Sequence, residues 1–310
     1  MIFLDERIKN FLERFFEAEN KPVQSLLFYG PEGLGKKTIA LAFAKALLCE
    51  DSNKQWNGCQ KCQNCLRFDK GLQPDFLFLE PENNNFDIEN IRTTIDFLSY
   101  KPQFSSLRIL IIDQADRLKE DSQNTLLKTL EEPPPNTLII LITSLPQKLL
   151  ITIKSRLLGL RFSRSSPDRI KNFLIANYSL NSKEAEDIAN QAEGRIGLAI
   201  KLLNKTYLTE VKKHQLVLEN LLNSNFAHQS AIIKNLTKDK NSLHLVLQDW
   251  LEYLHLDLKH ESQTEKNNFT FSSSKIKLTK ELLKAFYLIF DYNINPNLLL
   301  ENIFLAYALK

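Results

Sequence analysis

The first part of the chain alternates short apolar runs with segments whose apolar residues recur at helical spacing. The apolar runs have the length and the polar borders of buried strands. They lie at residues 26–29, 76–79, 108–113 and 138–142. The helical segments lie at residues 2–18, 39–48, 88–98, 121–132 and 146–154. Strands that alternate with helices form a parallel sheet covered on both faces, so the pattern through residue 162 predicts an α/β domain.

The rest of the pattern contains only helices. Three short helices are predicted at 167–177, 182–191 and 196–203. Five longer ones are predicted at 209–222, 226–236, 241–258, 279–292 and 296–309. The polar, Asn/Ser-rich stretch 260–275 predicts a mobile loop. Apolar residues between 282 and 290 exceed one helix face, which indicates burial against other helices of this chain or of another subunit.

The turn after the first predicted strand carries the most specific chemistry. It reads Y-G-P-E-G-L-G-K-K-T over residues 29–38 and matches the G-x4-G-K phosphate-binding loop. Glycines let backbone N–H groups close around a phosphate at a helix N-terminus, and the lysine reaches the outer oxygens. The candidate nucleotide-binding residues are Gly30, Pro31, Gly33, Gly35, Lys36, Lys37 and Thr38. A glycine-rich turn without a ligand is the alternative.

One position of this loop departs from the motif. The residue after the motif lysine is normally Ser or Thr, whose hydroxyl holds Mg²⁺, and here it is Lys37. Thr38 follows about 100° further round the helix, so it is poorly placed to replace that hydroxyl. We therefore expect a loop that can hold ATP or ADP but lacks a ligand for the metal that hydrolysis needs.

A second defect lies at the end of the third predicted strand. That strand ends in Asp113, where an acidic residue would contact Mg²⁺ indirectly and the next residue would polarise water. The next residue is Gln114, which can hydrogen-bond a water but cannot accept its proton. Thr143 follows another strand, where a small hydroxyl can reach a phosphate. Asp113 as a plain strand-terminating acid and Thr143 as a turn former stay open as alternatives.

All four cysteines lie close together in the sequence. They are Cys49, Cys59, Cys62 and Cys65, in the pattern C-x9-C-x2-C-x2-C. Thiolates spaced by two residues can approach one cation from a tight turn, and four of them form a closed tetrahedral Zn²⁺ site. No histidine precedes His214, so all four ligands would be cysteine. We expect a structural zinc ion that stabilises the polar insertion 51–71, with free thiols as the alternative.

Length and charge bound the class of protein. A chain of 310 residues can form two or three domains. A net charge of +3 is too small to indicate nucleic-acid binding by itself. The first residues lack the apolar core of a signal peptide, and no apolar run approaches about 18 residues. We expect a cytoplasmic protein with no membrane contact, where clustered cysteines indicate a metal more than disulfides.

The order of the motifs resembles the bacterial DNA polymerase III clamp-loader subunits. Besides the phosphate loop and the cysteines, the resemblance rests on four strings. They are I-I-D-Q-A-D-R-L (111–118), L-L-K-T-L-E-E-P-P (126–134), P-Q-K-L-L (146–150) and S-R (155–156). Members of this family are AAA+ proteins, so the resemblance implies a P-loop domain at 1–162 with a four-cysteine zinc module at 49–71. It further implies a small helical lid at 163–207 and an all-α collar, for oligomerisation, at 208–310.

The resemblance also implies a branch of this family. The gamma/tau motor subunit has Ser or Thr after the loop lysine and Glu after the strand aspartate, where this chain has Lys37 and Gln114. The motor's lid arginine aligns with Leu198, and Arg195 is offset from it. The chain therefore resembles the delta-prime branch, a largely non-hydrolysing component.

A Ser-Arg pair is retained as Ser155 and Arg156. In the family this pair lies at a subunit edge, and the arginine enters the neighbour's ATP site, where it stabilises charge on the phosphoryl group. The resemblance thus implies a subunit that supplies Arg156 in trans and helps to load the sliding clamp on primed DNA during replication. It implies a hetero-oligomer with gamma/tau and delta subunits, which meets the sliding clamp and primer-template DNA.

Two other functions stay open on the sequence. The first is an active gamma/tau-like clamp-loader ATPase, in which Thr38 and Asp113 suffice for hydrolysis. The second is a zinc-containing nucleic-acid-binding module. The modest net charge and the lack of an aromatic-basic repeat argue against this second alternative. Without the family resemblance, Arg156 would be interpreted as a plain surface arginine.

Overall fold

The chain forms two compact units, Met1–Leu203 and Asn204–Lys310. The structure is a computed structural model, and it describes residues 3–17, 24–51, 55–81, 86–264, 273–291 and 294–308. The first unit contains one sheet with helices on both faces, and the described elements of the second unit are all helices.

A five-stranded parallel sheet forms the centre of the first unit. The alternating pattern predicted a parallel sheet and four of these strands, but it missed the fifth, at 158–161. Its strands are β1 (Ser25–Tyr29), β2 (Phe76–Leu79), β3 (Arg108–Ile112), β4 (Thr137–Thr143) and β5 (Leu158–Arg161). The order across the sheet is β2-β3-β4-β1-β5, and every neighbouring pair is parallel. Because all strands run in one direction, their carboxyl ends meet at a single edge, which is where ligands of such sheets bind.

Helices cover both faces of this sheet. The helices of the first unit are α1 (Glu6–Glu17), α2 (Lys36–Leu48), α3 (Gln63–Asp69), α4 (Ile88–Ser99), α5 (Glu120–Glu131), α6 (Ile151–Lys154), α7 (Pro167–Tyr178), α8 (Ser182–Gln191) and α9 (Ile196–Leu202). Successive residues of a strand point to opposite faces. Ile109 and Ile111 therefore pack with α1 and α2, whereas Leu110 and Ile112 pack with α4 and α5. Burial on both faces explains why the strands are continuously apolar.

Helices α7 to α9 have a small core of their own. It includes Ile170 and Leu174 from α7, and Ala185 from α8. Helix α8 begins at Ser182, as predicted, and is capped by the side chain of Asn181. This cap helps to fix where the helix starts.

Other local features of the first unit also differ from the prediction. The cysteine insertion contains a helix, α3, although its sequence has too few apolar residues to show helical spacing. The helix begins because the Cys62 sulfur accepts a hydrogen bond from the N–H of Cys65. The predicted helix 146–154 is instead a 3-10 turn, Pro146–Lys148, followed by the single-turn helix α6, because Leu149 and Leu150 interrupt it in extended conformations.

The second unit packs its helices around a buried tryptophan. The helices are α10 (Lys205–Asn223), α11 (Phe226–Leu236), α12 (Lys240–Thr264), α13 (Ser273–Asp291) and α14 (Pro296–Ala308). The indole N–H of Trp250 donates to the carbonyl of His214 at 2.7 Å, and its ring meets Phe304 edge-on. The ring of His214 pairs with Asp249 at 2.6 Å. A polar contact therefore satisfies the indole N–H of Trp250 inside the core of this unit.

The loop predicted at 260–275 is wrong at both of its ends. Helix α12 continues through Thr264 and α13 begins at Ser273, so only residues 265–272 of the prediction lie outside the described residues. Polar residues such as Glu and Gln have high helix propensity, so a polar stretch can prolong a helix as readily as it forms a loop. Among the residues that the structure describes, no helix is long and apolar enough to cross a bilayer.

Candidate functional site

The phosphate-loop motif lies between the carboxyl end of β1 and the start of α2, as predicted. In the sheet, β1 lies between β4 and β5, so the ends of both strands flank the loop. Gly30 has a φ of +141°, and a Cβ at this position would clash with the carbonyl oxygen of Phe162. Only glycine permits this close approach, which holds the loop against the chain that leaves β5.

Glycines also set the curvature of the loop. Gly33 has a φ of +76°, and Gly35, which precedes α2, has a φ of +82°. These left-handed conformations favour glycine. They turn the chain so that the first backbone N–H groups of α2, which have no partner within the helix, are presented beside the loop. A phosphate site needs this arrangement.

Helix α9 lies directly on the loop, a contact that the sequence did not predict. The N–H of Gly197 donates to the carbonyl of Gly33 at 2.7 Å, and a Cβ at Gly197 would lie 2.9 Å from the same oxygen. Arg195, which is offset from the expected lid arginine, also lies close: a Cβ at Gly33 would be 3.4 Å from the Cβ of Arg195. A glycine inside a predicted helix was the signal that could have indicated this close packing.

The motif lysine is folded onto its own loop. The ammonium of Lys36 donates to the carbonyls of Gly30 and Pro31 at 2.6 and 2.7 Å, and lies 3.4 Å from the hydroxyl of Ser144. Burial lowers the pKa of Lys36, while nearby carboxylates act in the opposite direction. A bound phosphate would replace these carbonyls with charged oxygens as partners of the ammonium.

Lys37 lies beside two acidic residues instead of offering a metal ligand. Its ammonium donates to Glu80 Oε2 at 2.7 Å and lies 3.9 Å from Asp113 Oδ2. It also lies 4.5 Å from the centre of the Phe78 ring. Thr38 is exposed on the next position of the helix. The cation beside Glu80 and Asp113 is therefore the ammonium of Lys37.

Asp113 and Gln114 follow β3, as predicted. Burial raises the pKa of Asp113, although the backbone N–H of Gln114 and the ammonium of Lys37 act to lower it. Gln114 has left-handed backbone angles, with φ 51° and ψ 44°, and its N–H donates to Asp113 Oδ1 at 2.9 Å. The amide side chain of Gln114 cannot take a proton from water.

Thr143 at the end of β4 hydrogen-bonds to a carboxylate. Its hydroxyl donates to Asp116 Oδ1 at 2.5 Å, and the same oxygen accepts the N–H of Ser144 at 3.2 Å. The sequence predicted that the Thr143 hydroxyl would contact a phosphate. In this structure it donates to Asp116 instead. Sequence reasoning missed Asp116, although the second acid of the string D-Q-A-D was a signal for it.

The four cysteine sulfurs form one cluster. The sulfurs of Cys49, Cys59, Cys62 and Cys65 all lie within 4.8 Å of one another. Tetrahedral coordination with Zn–S bonds of about 2.3 Å places sulfurs about 3.8 Å apart, and the Cys49 and Cys62 sulfurs are 3.9 Å apart. The N–H of Cys59 donates to Cys49 at 3.4 Å, and the N–H of Cys62 donates to Cys59 at 3.3 Å. The donor set therefore fits a metal ion such as zinc.

The surroundings of the sulfurs differ from one another. Hydrogen bonds from the backbone of Lys61 and Cys62 lower the pKa of Cys59 to about 6, whereas burial raises the pKa of Cys65 to about 12. A Cβ at Gly58 would lie 2.5 Å from the Cys65 sulfur, so glycine leaves room for it. A metal ion would favour the thiolate form of every cysteine in the cluster.

The cysteine module is fastened to α1 and to α2, the helix that follows the phosphate loop. The indole N–H of Trp56 donates to Glu13 on α1 at 2.9 Å. Lys45 on α2 pairs with Asp69 on α3 at 2.6 Å. Cys49 itself directly follows α2. The module thus packs on the face of the sheet that α1 and α2 cover.

Arg156 lies after α6, and its contacts are to α5 and α6 rather than to its own phosphate loop. Its guanidinium pairs with Glu131 at the end of α5 and donates to the carbonyl of Thr152 at 2.7 Å. It also donates to the hydroxyl of Ser155 at 3.3 Å. The side chain of Arg156 is 31% exposed and that of Glu131 is 49% exposed, so solvent reaches the pair.

A known protein family matches the part of the chain that carries these motifs. The family model described as "DNA polymerase III, delta subunit" matches residues 4–166. The DNA polymerase III subunit delta' of Bacillus subtilis is 31% identical over 202 residues, covering 61% of this chain and 60% of that protein. The DNA polymerase III subunit gamma of Buchnera aphidicola (subsp. Schizaphis graminum) is 34% identical over 199 residues, covering 63% of this chain and 54% of that protein. The chain thus spans little more than half the length of these curated relatives.

A solved structure shows the same fold. A gamma subunit-related protein of Thermotoga maritima superposes with a TM-score of 0.51, with 98% of each chain covered and 20% identity. This likeness concerns the fold alone. The family match, by contrast, covers the phosphate loop, the cysteine cluster and the Ser-Arg pair. The chain therefore belongs to the DNA polymerase III delta-prime/gamma/tau family of clamp-loader subunits.

Proposed function

We propose that this chain is a delta-prime-like clamp-loader subunit that hydrolyses little or no ATP itself and supplies Arg156 to the ATP site of a neighbouring motor subunit. The observation that carries the proposal is the position of Lys37. Its ammonium pairs with Glu80 and lies 3.9 Å from Asp113. The pocket lacks the hydroxyl that would bind Mg²⁺ and the carboxylate that would act on water.

Both missing groups serve the same chemical step. In ATP hydrolysis charge develops on the transferred phosphoryl group while a water attacks it. Lys37 offers a positive charge but no oxygen for a metal ion, and Gln114 can hydrogen-bond the water but leaves its proton in place. The glycine loop and Lys36 can still hold ATP or ADP, with Gly30, Pro31, Gly33, Gly35 and Thr38 around the phosphates. The pocket then binds a nucleotide without turning it over.

The position of Arg156 supports a role in trans. Its ion pair with Glu131 is solvent-exposed, and such pairs contribute less than about 1 kcal/mol to stability. The guanidinium can therefore exchange this carboxylate for phosphate oxygens of another molecule, which accept charge-assisted hydrogen bonds in the same planar geometry. Ser155 ends α6, and its hydroxyl accepts a hydrogen bond from the guanidinium, so it positions Arg156.

The partners follow from membership of the family. We propose that the chain assembles with gamma/tau and delta subunits, and that the assembly loads the sliding clamp on primer-template DNA in the cytoplasm. Apolar side chains support a further protein contact in the second unit, where Leu245 is 57% exposed and Leu298 is 61% exposed. We assign the oligomerisation role of a collar to this unit.

We assign a structural zinc ion to the cysteine cluster. Four thiolates fill a tetrahedral site and leave no open position for chemistry. Bound zinc would stabilise the module at 49–71, which is polar and small. The cluster therefore supports the shape of the first unit and has no part in phosphoryl transfer.

An active motor is the second candidate. The 34% identity to a gamma subunit and the glycine loop around Lys36 favour it. In a motor, Thr38 and Asp113 would hold the metal, but Thr38 is exposed and Asp113 lies beside Lys37. Family membership favours both candidates over a zinc-containing nucleic-acid-binding module, which would bind DNA tightly without partners.

Reconstitution tests the proposal. The chain is mixed with motor and delta subunits, the sliding clamp and primed DNA, and ATP turnover is compared with a mixture that lacks the chain. We expect the chain to co-purify with the assembly and to be required for DNA-stimulated turnover and clamp loading. Equal stimulation without the chain, or its absence from the assembly, would refute the proposal.

A further inference from the structure

Two acidic side chains lie next to each other at the carboxyl edge of the sheet. Strands β2 and β3 are paired so that Leu79 is opposite Ile112. Glu80 and Asp113 directly follow these residues, and the N–H of Asp113 donates to the carbonyl of Leu79 at 2.9 Å. Two carboxylates on adjacent strand ends repel each other unless a cation lies beside them.

Lys37 provides that cation from the first turn of α2. Its ammonium has three partners on the neighbouring strands: Glu80 at 2.7 Å, Asp113 at 3.9 Å and the Phe78 ring at 4.5 Å. Carboxylates and an aromatic face are both favourable partners of an ammonium. The contacts come from two separate strands, so the side chain is directed across the top of the sheet rather than away from it.

We propose that Lys37 is a tethered cation that takes the place of Mg²⁺, so that the phosphate loop binds nucleoside di- or triphosphates free of metal. The inference rests on the proposed function, because it assigns a nucleotide to the same loop. It adds the chemical form of the ligand: an uncomplexed polyphosphate instead of its magnesium salt.

The charges around the loop explain this preference. Lys36 and Lys37 place two ammonium groups at the N-terminus of α2, where backbone N–H groups also favour negative charge. Lys37 is 45% exposed on its side chain, so it can reach a phosphate oxygen while it stays near its carboxylates. A magnesium ion at this position would lie beside the positive charge of Lys37, and residue 37 would offer it no hydroxyl ligand.

Equilibrium binding with and without metal tests the inference. Fluorescent ADP and ATP analogues are titrated with the full chain in excess EDTA and again in excess Mg²⁺. We expect dissociation constants that agree within about threefold for the wild-type chain. In Lys37→Thr, which restores the usual hydroxyl, Mg²⁺ is expected to tighten binding by about tenfold or more. Lys183→Thr, an exposed lysine change on α8, is the matched control and should behave as wild type.

Each outcome decides the inference. Tightening of wild-type binding by tenfold or more on addition of Mg²⁺ would overturn it, and so would the absence of binding in both conditions. Neither result touches the proposed role of Arg156 in trans, which depends on turnover in the assembly. Circular dichroism of Lys37→Thr verifies folding, and Lys37→Gln, which has no charge and no metal ligand of the usual kind, is expected to weaken binding in EDTA.

Discussion

The nucleotide pocket and the Arg156 edge hold their charged groups in different ways. In the pocket, Lys36 is buried and donates to two carbonyls of its own loop. At the edge, Arg156 pairs with Glu131 where solvent reaches both side chains. Leaving a buried charge without a partner costs several kcal/mol, whereas an exposed ion pair contributes about 1 kcal/mol or less. The comparison supports the two proposals, that the pocket holds a ligand and that the edge gives its arginine to another molecule.

Removal of the guanidinium is expected to have the largest effect. Arg156→Ala should leave this chain folded, because it breaks only an exposed ion pair. In the reconstituted assembly, turnover at the adjacent motor site should fall by a factor on the order of 10³, since a trans-acting arginine stabilises the transition state. Single-turnover ATP hydrolysis measures this change.

The control for this variant is Glu131→Gln. It keeps Arg156 and removes only its exposed partner, so turnover in the assembly should stay within about threefold of wild type. If Arg156→Ala and Glu131→Gln both leave the motor unaffected, the edge has no catalytic partner and the comparison fails.

Metal removal should affect one module strongly and the sheet little. Chelation or Cys62→Ser is expected to expose residues 49–71 to protease, since this polar module depends on its ligands. The far-UV circular dichroism of the sheet should be retained, because its core is formed mainly by α1, α2 and the strands. Zinc content and limited proteolysis measure the two effects, and global unfolding on chelation would contradict this division.

The contact of α9 with the phosphate loop should tolerate no side chain at residue 197. Gly197→Ala places a Cβ 2.9 Å from the carbonyl oxygen of Gly33, and backbone atoms yield less than a side chain. We expect a loss of about 1–3 kcal/mol in the free energy of unfolding. Chemical denaturation measures this change, with Ile200→Ala at an exposed position of the same helix as the control. Equal effects of the two changes would show that the close contact does not contribute.

The acid stability of the first unit should depend on Asp75. Its oxygens accept hydrogen bonds from the N–H groups of Gln103 and Phe104, each at 2.7 Å, and of Ser105 at 2.9 Å. Burial alone would raise the pKa of Asp75, but these hydrogen bonds outweigh burial and hold the pKa below its ordinary value. The guanidinium of Arg108 lies 3.6 Å from Asp75 Oδ1.

The sign of the pH dependence follows from this lowered pKa. A carboxyl whose pKa is lower in the folded state stabilises the fold above its unfolded value of about 3.9, and this contribution is lost as the pH falls through the folded value. Asp75→Asn should therefore lower stability at neutral pH by about 2 kcal/mol and flatten the loss below pH 4. Urea unfolding at several pH values measures both, and parallel curves for the two proteins would exclude Asp75 as the cause.

Sequence patterns predicted the parts of the fold that depend on local order. The apolar run of β3 and the glycines of the phosphate loop can each be recognised from a few consecutive residues. The structure confirms the parallel sheet and the position of the loop between β1 and α2. The cysteine spacing likewise predicted one cluster, and its sulfurs meet. The predicted start of α2 at residue 39 was three residues late, because the glycine loop runs directly into the helix at Lys36.

Contacts between residues that are far apart in the sequence could not be predicted from local patterns. Lys37 contacts Glu80, which lies 43 positions further along the sequence. Gly197 contacts Gly33, although the strands β2 to β5 and the helices α7 and α8 lie between them in the sequence. Nothing near Lys37 in the sequence shows that Glu80 follows a strand adjacent to Asp113, since strand order depends on the whole fold. The lysine at the usual metal-ligand position was therefore predictable, but its contacts with Glu80 and Asp113 were not.

ATP hydrolysis by the isolated chain tests the central claim most directly. Steady-state phosphate release in the presence of Mg²⁺ is compared between the wild type and Lys36→Ala. We predict no turnover that depends on Lys36, because Lys37 replaces the metal-binding hydroxyl of the motif and Gln114 replaces its base. Lysine-dependent turnover on the order of one per second or faster, the range of working enzymes, would contradict the account and identify the chain as a motor.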